Sequence, residues 1–218
     1  MSALSVQSLA CRRGGRPVFQ DLGLEVATGS ALLLTGRNGV GKSTLLRVLA
    51  LLTPTQRGEI TWQGRNVREA PDAWRARLAW LGHADAVKGD LTVREMLEAS
   101  ELLRAGVVPA RDLWDRALAR FDLAPLLDRP GRYLSAGQRR RVALTRVVLS
   151  AATVWLLDEP AAGLDEISRQ SLHVAITDHL AAGGIVVIAT HGDIVLPDAP
   201  SLDVGKFAPD AASVEDWL

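Results

Sequence analysis

Apolar positions along the chain follow two rhythms. Residues 4–9 and 22–26 alternate apolar with small or polar side chains, the period of a half-buried strand. Residues 31–35, 154–157 and 185–189 are short runs that are almost wholly apolar, the pattern of buried strands. Residues 58–62 and 78–81 add two more strands, with Gly64 in the turn after the first. Between them lie segments of helical pattern: 42–52, stopped before Pro54, then 91–104, 112–121, 135–149 and 166–180. Thr92 followed three residues later by Glu95 forms a capping box that opens the second of these. Strands alternating with helices predict an α/β fold, with a mostly helical insertion in the middle of the chain.

Composition narrows this picture slightly. The 218 residues suit one domain, or one domain with a subdomain, and are ample for a hydrophobic core. The 25 basic and 25 acidic residues cancel, so no overall field favours nucleic acid as a partner. Two local clusters, Arg12, Arg13 and Arg16, then Arg139, Arg140 and Arg141, read as solvated or partner-facing surface. The single cysteine, Cys11, excludes an intrachain disulfide and fits a reducing compartment. Residues 1–10 lack the charged start and long apolar stretch of a signal peptide. The apolar runs fall far short of the roughly 20 residues a spanning helix needs, so work at a membrane requires a separate partner to cross it.

Four constellations carry chemistry. Gly36-Arg37-Asn38-Gly39-Val40-Gly41-Lys42-Ser43 fits G-x-x-x-x-G-K-[ST] between a strand and a helix. Its glycines let the backbone curl so that N–H groups face a phosphate, and the helix start adds a positive dipole end. Lys42 is expected to reach the β- and γ-phosphates of ATP, and the Ser43 hydroxyl to hold Mg²⁺. The apolar run at 154–157 ends in Asp158 and Glu159, which suit a Mg²⁺ contact and a group that orients or deprotonates an attacking water; a plain Asp-Glu turn reads the same way. Leu134-Ser135-Ala136-Gly137-Gln138 is either a simple capping box or a second anion site at a helix start. His191, after the run 185–189, is placed to contact a γ-phosphate or the attacking water, although a lone histidine is usually structural.

In this order and spacing the four resemble the nucleotide-binding subunits of ABC transporters, over nearly the whole chain. Gly36 to Thr44 matches that family's Walker A loop, Val154 to Asp158 Walker B, and Glu159 the catalytic glutamate. Ser135, Ala136, Gly137 and Gln138 match the signature motif, with Ala136 in place of its first glycine. Asp165 falls in the D-loop and His191 is the switch histidine. The resemblance implies a P-loop NTPase core of RecA type, an N-terminal antiparallel β subdomain, and an inserted α-helical subdomain over about 84–150. It also implies a head-to-tail dimer in which Ser135 and Gly137 of a second copy complete the site around Lys42. ATP and Mg²⁺ are the expected cofactors, and separately encoded transmembrane permease subunits the expected partners.

Two further positions depart from the family pattern. His83 stands where a glutamine is usual, and Arg13 where an aromatic residue stacks on adenine. An imidazole is able to contact a Mg²⁺-bound water, and a guanidinium to stack on a purine face; a loop histidine and a hairpin arginine in water are the bland alternatives. The finer pattern, in Leu9 to Arg16, Leu34 to Gly39, Leu81 to His83 and Tyr133 to Leu144, is similar to the ATPase subunits of bacterial cytochrome c maturation systems. That resemblance implies a peripheral protein on the cytoplasmic face of the inner membrane, with the haem chaperone pathway an indirect partner. Other ABC exporters, of lipid, lipoprotein or small molecules, and soluble ABC ATPases are the competing readings. Cys11, His83, His173, His179 and His191 lie in no haem-attachment pattern and read as a structural thiol and surface histidines. The six tryptophans read as core or partner contacts.

Overall fold

The computed structural model describes residues 2–209. Alternation in the first segments produces an antiparallel hairpin, β1 (Ser2–Arg13) and β2 (Arg16–Ala27). Both strands run well past the alternating cores read from sequence. They meet at Gly14 and Gly15, whose φ of 57° and 78° give the tight turn that matches strand twist. Strand β4 (Arg57–Trp62) pairs antiparallel with β1, and a short β5 (Arg65–Asn66) completes a four-stranded sheet in the order β2-β1-β4-β5.

The continuous apolar runs become a second, parallel sheet. Its order is β6-β7-β8-β3-β9, from β3 (Ala31–Thr35), β6 (Leu78–Leu81), β7 (Val154–Asp158), β8 (Ile185–Ala189) and β9 (Ser201–Asp203). Burial on both faces explains why these strands do not alternate in polarity. Leu32, Leu34, Val154, Leu156, Ile185 and Val187 pack into a core shared with the antiparallel sheet. Their neighbours Leu33, Trp155, Leu157, Val186 and Ile188 face a second core on the other side.

Helix α1 (Lys42–Leu49) fills the first core through Leu45, Leu46, Val48 and Leu49. It ends earlier than the 42–52 expected, because Leu51 turns to φ 55° and the Trp74 indole of α2 (Pro71–Arg75) donates to the Leu49 carbonyl at 2.8 Å. The second core is covered by α3 (Val93–Ala105), α4 (Arg111–Arg120), α5 (Ala136–Leu149) and α6 (Glu166–Ala181). The Thr92–Glu95 capping box forms as read, with both reciprocal hydrogen bonds present.

Of the histidines read as surface residues, one departs from that expectation, while the tryptophans and the cysteine follow the core and structural readings. His173 is exposed, but His179 is half-buried and stacked on Trp155, with centroids 4.0 Å apart and planes 11° from parallel. Trp74 and Trp155 are core residues, Cys11 is fully buried, and Trp217 lies outside the described residues. No helix among the described residues is long and apolar enough to cross a membrane.

Candidate functional site

Parallel strands bring their carboxyl ends to one edge, and the candidate residues gather there. The ends of β3, β7 and β8 are laced together: Thr190 N–H donates to the Leu34 carbonyl at 3.1 Å, and Glu159 N–H to that of Ala189 at 2.9 Å. The loop 36–41 leaves β3 and turns into α1. Gly36 and Gly41 take φ of 122° and 115°, which other residues reach only under strain. A Cβ on Gly41 would lie 2.6 Å from the Val18 side chain, so β2 borders this loop. A Cβ on Gly36 would lie 2.9 Å from the Asp203 carboxylate, which itself accepts from Gly205 N–H at 2.9 Å. Residues 201–207 therefore wall the loop, a contribution that sequence reading did not assign.

No side chain caps the start of α1, whose first N–H groups have no carbonyl partners within the helix. Lys42 is buried, and its ammonium donates to the carbonyls of Gly36 at 2.7 Å and Arg37 at 3.3 Å. It is thus folded back over the cradle made by its own loop. The Ser43 hydroxyl donates to Asp158 Oδ1 at 3.0 Å, joining the start of α1 to the end of β7 across 115 positions of sequence. The donor set fits a phosphate chain with a divalent cation: uncapped helix N–H groups and an ammonium for anionic oxygens, and a hydroxyl beside a carboxylate for a hard metal.

Burial raises the Asp158 carboxyl above its ordinary range. The Ser43 hydrogen bond opposes this, the Glu159 charge adds to it, and His83 and Arg140 pull the other way. Glu159 leaves the end of β7 with φ 48°, an uncommon conformation for a residue with a side chain. Its Oε1 lies 3.1 Å from His191 Nε2, and both side chains remain partly open to solvent.

Ser135 caps α5, accepting from Gln138 N–H at 3.2 Å while Gln138 Oε1 accepts from Ser135 N–H at 2.9 Å. The capping box is therefore real, and Ser135 and Ala136 are also exposed at the helix start. Gly137 lies against the turn that precedes Asp165, since a Cβ there would approach the Gly163 carbonyl to 3.1 Å. Asp165 caps α6 through Ser168 N–H at 2.8 Å, and bonding to Ser168 holds its carboxyl below the usual range. His83 is exposed in the loop after β6, near enough to influence Asp158 electrostatically. Arg13 is exposed at the end of β1, opposite Arg16.

The surface reading of the second arginine cluster fails at Arg140, which is only 4% exposed. Its guanidinium reaches the carbonyls of Asp158, Glu159 and Pro160, the Gly82 carbonyl and the Asp85 carboxylate. Arg146, six residues further along α5, donates to the Asp85 and Ala86 carbonyls. Nothing in a run of three arginines marks the middle one as buried; only the helical phase of the apolar residues Val142, Ala143 and Leu144 hints at it.

Comparison with known proteins agrees with this geometry. The family model described as ABC transporter matches residues 19–162. A protein of Paramagnetospirillum magneticum, named cytochrome c biogenesis ATP-binding export protein CcmA, is 46% identical over 208 residues, covering 95% of this chain and 96% of its own. Its namesake from Rhodospirillum rubrum is 47% identical over 205 residues, covering 94% and 86%. Among solved structures, a putative ABC transporter ATP-binding protein from Pyrococcus furiosus superposes with a TM-score of 0.81 at 25% identity, covering 94% of this chain and 99% of that one.

Proposed function

This chain belongs to the ABC transporter family, and from that premise we propose that it is the ATP-hydrolysing subunit of a cytochrome c biogenesis export complex. The observation that carries this is the 46% identity to the Paramagnetospirillum export protein across 95% of the chain. The convergence of Lys42, Ser43, Asp158, Glu159 and His191 on one sheet edge supports turnover at that site.

ATP is the substrate, with its phosphates at residues 36–44: Gly36, Arg37, Asn38, Gly39, Val40, Gly41, Lys42, Ser43 and Thr44. The N–H groups of this loop and the first turn of α1 bind the phosphate chain, and Lys42 exchanges its two carbonyl contacts for phosphate oxygens. Ser43 and Asp158 would hold Mg²⁺, which when bound would neutralise charge on the phosphates. Glu159 accepts a proton from water as the water oxygen attacks the γ-phosphorus. The bond from that phosphorus to the bridging oxygen breaks, and ADP and phosphate leave. His191 orients Glu159 and the reacting oxygens from the neighbouring strand end.

The exposed start of α5 suits completion of the site by a second copy, with Ser135 and Gly137 against nucleotide bound by the partner. Residues 84–150 act as the helical unit that carries this edge. Arg13, at the tip of the β1–β2 hairpin, contacts the base, and His83, in the loop after β6 and close enough to act on the Asp158 charge, would contact a water beside the cation. Separately encoded permease subunits receive the motion at the cytoplasmic face of the inner membrane.

The test is genetic and biochemical together. Removing the gene should abolish holo-cytochromes c while apo-polypeptides are still made, and the wild-type gene but not Glu159→Gln should restore them. Normal cytochromes in the deletion strain would overturn the pathway. Full complementation by Glu159→Gln would overturn the requirement for turnover.

A further inference from the structure

We propose that Arg140 is a positioning residue for ATP hydrolysis, tying the signature helix to the backbone that aims Glu159. The inference rests on the reading of Glu159 as the hydrolytic carboxylate. A guanidinium carries five N–H donors in a fixed plane. Here each has an acceptor: Nε donates to the Pro160 carbonyl at 3.2 Å, and Nη1 to the Gly82 carbonyl at 3.2 Å and Asp85 Oδ1 at 2.7 Å. Nη2 donates to the Asp158 carbonyl at 3.0 Å and to the Glu159 carbonyl. A buried cation is costly unless fully paired, and this one is paired in every direction.

The acceptors explain what the pairing does. Three are consecutive carbonyls, at 158, 159 and 160, all turned toward one guanidinium. An extended strand points successive carbonyls to opposite sides, so the chain must curl to present three together. The φ of 48° at Glu159 is part of that curl. Such a conformation persists only where its surroundings hold it: the Ala189 carbonyl holds the Glu159 N–H, the Ala162 N–H turns back to the Glu159 carbonyl, and Arg140 holds the three successive carbonyls together. The same curl sets the Glu159 side chain beside His191.

Arg140 itself sits on α5, whose first residues are the signature positions, and the far side of its guanidinium grips the loop that contains His83. One side chain thus fixes three segments against each other: the signature helix, the turn after β7 and the loop after β6. When nucleotide on a second copy draws the signature edge inward, Arg140 carries that position to Glu159 of its own chain. Lysine cannot substitute, because three donors radiating from one point cannot reach acceptors spread around a plane.

The experiment uses the complete membrane complex, with Arg140→Gln, Arg140→Lys and Asp85→Ala compared with wild type. Three quantities are read: kcat, KM for ATP, and binding of ADP with beryllium fluoride, a ground-state mimic, or aluminium fluoride, a transition-state mimic. Misplacement of a reacting group typically costs on the order of 10²-fold, so Arg140→Gln should lower kcat by about 10- to 100-fold with KM within about threefold. Binding of the aluminium fluoride complex should weaken in parallel while the beryllium fluoride complex holds. Lysine should not rescue.

Asp85→Ala, which leaves α5 intact, should give a smaller loss of the same kind, and its effect should not add to that of Arg140→Gln. It carries the test alone if the Arg140 variants fold poorly. A kcat within twofold of wild type, or equal weakening of both fluoride complexes, would overturn the proposal. Glu159→Gln, measured alongside, reports separately on the reading beneath it: full turnover in that variant sinks the Glu159 assignment itself.

Discussion

His191 Nε2 lies 3.1 Å from Glu159 Oε1, across 32 positions of sequence. The pair exists because β7 and β8 are neighbours whose ends are held in register by the bond from Glu159 N–H to the Ala189 carbonyl. The contact gives Glu159 a fixed orientation at the mouth of the site. Glu159→Gln keeps the shape and removes the carboxylate proposed as the base, so it should lower kcat by on the order of 10²- to 10⁴-fold with ATP affinity retained. It should also accumulate an ATP-bound dimer, read as a doubling of mass by light scattering. A variant that stays monomeric with ATP would refute the two-copy site. His191→Ala should cost less, since the carboxylate remains.

Lys42 offers a second contrast. Its ammonium is satisfied by the Gly36 and Arg37 carbonyls, so its removal leaves acceptors that water is able to reach and should not unfold the protein. A charged hydrogen bond contributes about 1.5–3 kcal/mol, which predicts that Lys42→Ala weakens ATP binding by roughly 10- to 100-fold. Titration with a fluorescent ATP analogue, alongside a melting curve, separates the two effects. Unchanged affinity would remove Lys42 from the site.

The motif segments were legible because their chemistry is local. A glycine loop between a strand and a helix needs particular residues at fixed spacing, and so does a carboxylate pair at a strand end. The same holds for the Ser135 capping box, which depends on residues three apart. Arg140 was misread because its burial depends on which face α5 turns to the sheet, and a triplet of identical residues carries no phase. The Asp203 wall and the Trp155–His179 stack were invisible for another reason. Each joins segments brought together by the order of strands in the sheet, which no local pattern encodes.

Gly58 lies in β4, far along the chain from these motifs, yet it tolerates no side chain. Its φ is 92°, and a Cβ would come within 2.5–2.6 Å of Leu9 Cα and the carbonyls of Gln7 and Ser8. These are backbone atoms at the point where the register of β1 and β4 slips. Gly58→Ala should therefore destabilise the fold by about 2–4 kcal/mol, through a forced left-handed conformation and displaced backbone. Urea unfolding would show it as a lower midpoint. A midpoint equal to wild type would mean that the hairpin yields at this position.

His179 predicts a pH dependence of stability that is separate from catalysis. Its ring is stacked on Trp155, and a Cβ on Gly184 would overlap it at 2.2 Å from Nε2. Arg116, Arg120 and Asp178 line the same hollow, and Asp178 is paired with Arg120 at 2.7 Å. Burial is the largest influence and lowers the His179 pKa below its ordinary 6.5, against the opposing pull of backbone bonds at Ile185 and Thr153. The unfolded chain therefore takes up a proton at a higher pH than the folded one. Between the two pKa values the unfolded state binds more protons, so stability rises with pH across that window. Above about pH 6.5 the contribution is level; below it, stability is lost as the pH falls toward the folded value. His179→Gln cannot titrate there. Losing the ring stack should cost it about 0.5–1.5 kcal/mol at every pH. Unfolding free energies of the two proteins, measured by urea from pH 8 to pH 5, should thus differ by a constant amount at the alkaline end. The gap should narrow toward the acid end, as wild type loses what the variant never had. A gap that stays constant throughout would show that His179 keeps an ordinary pKa in the folded chain.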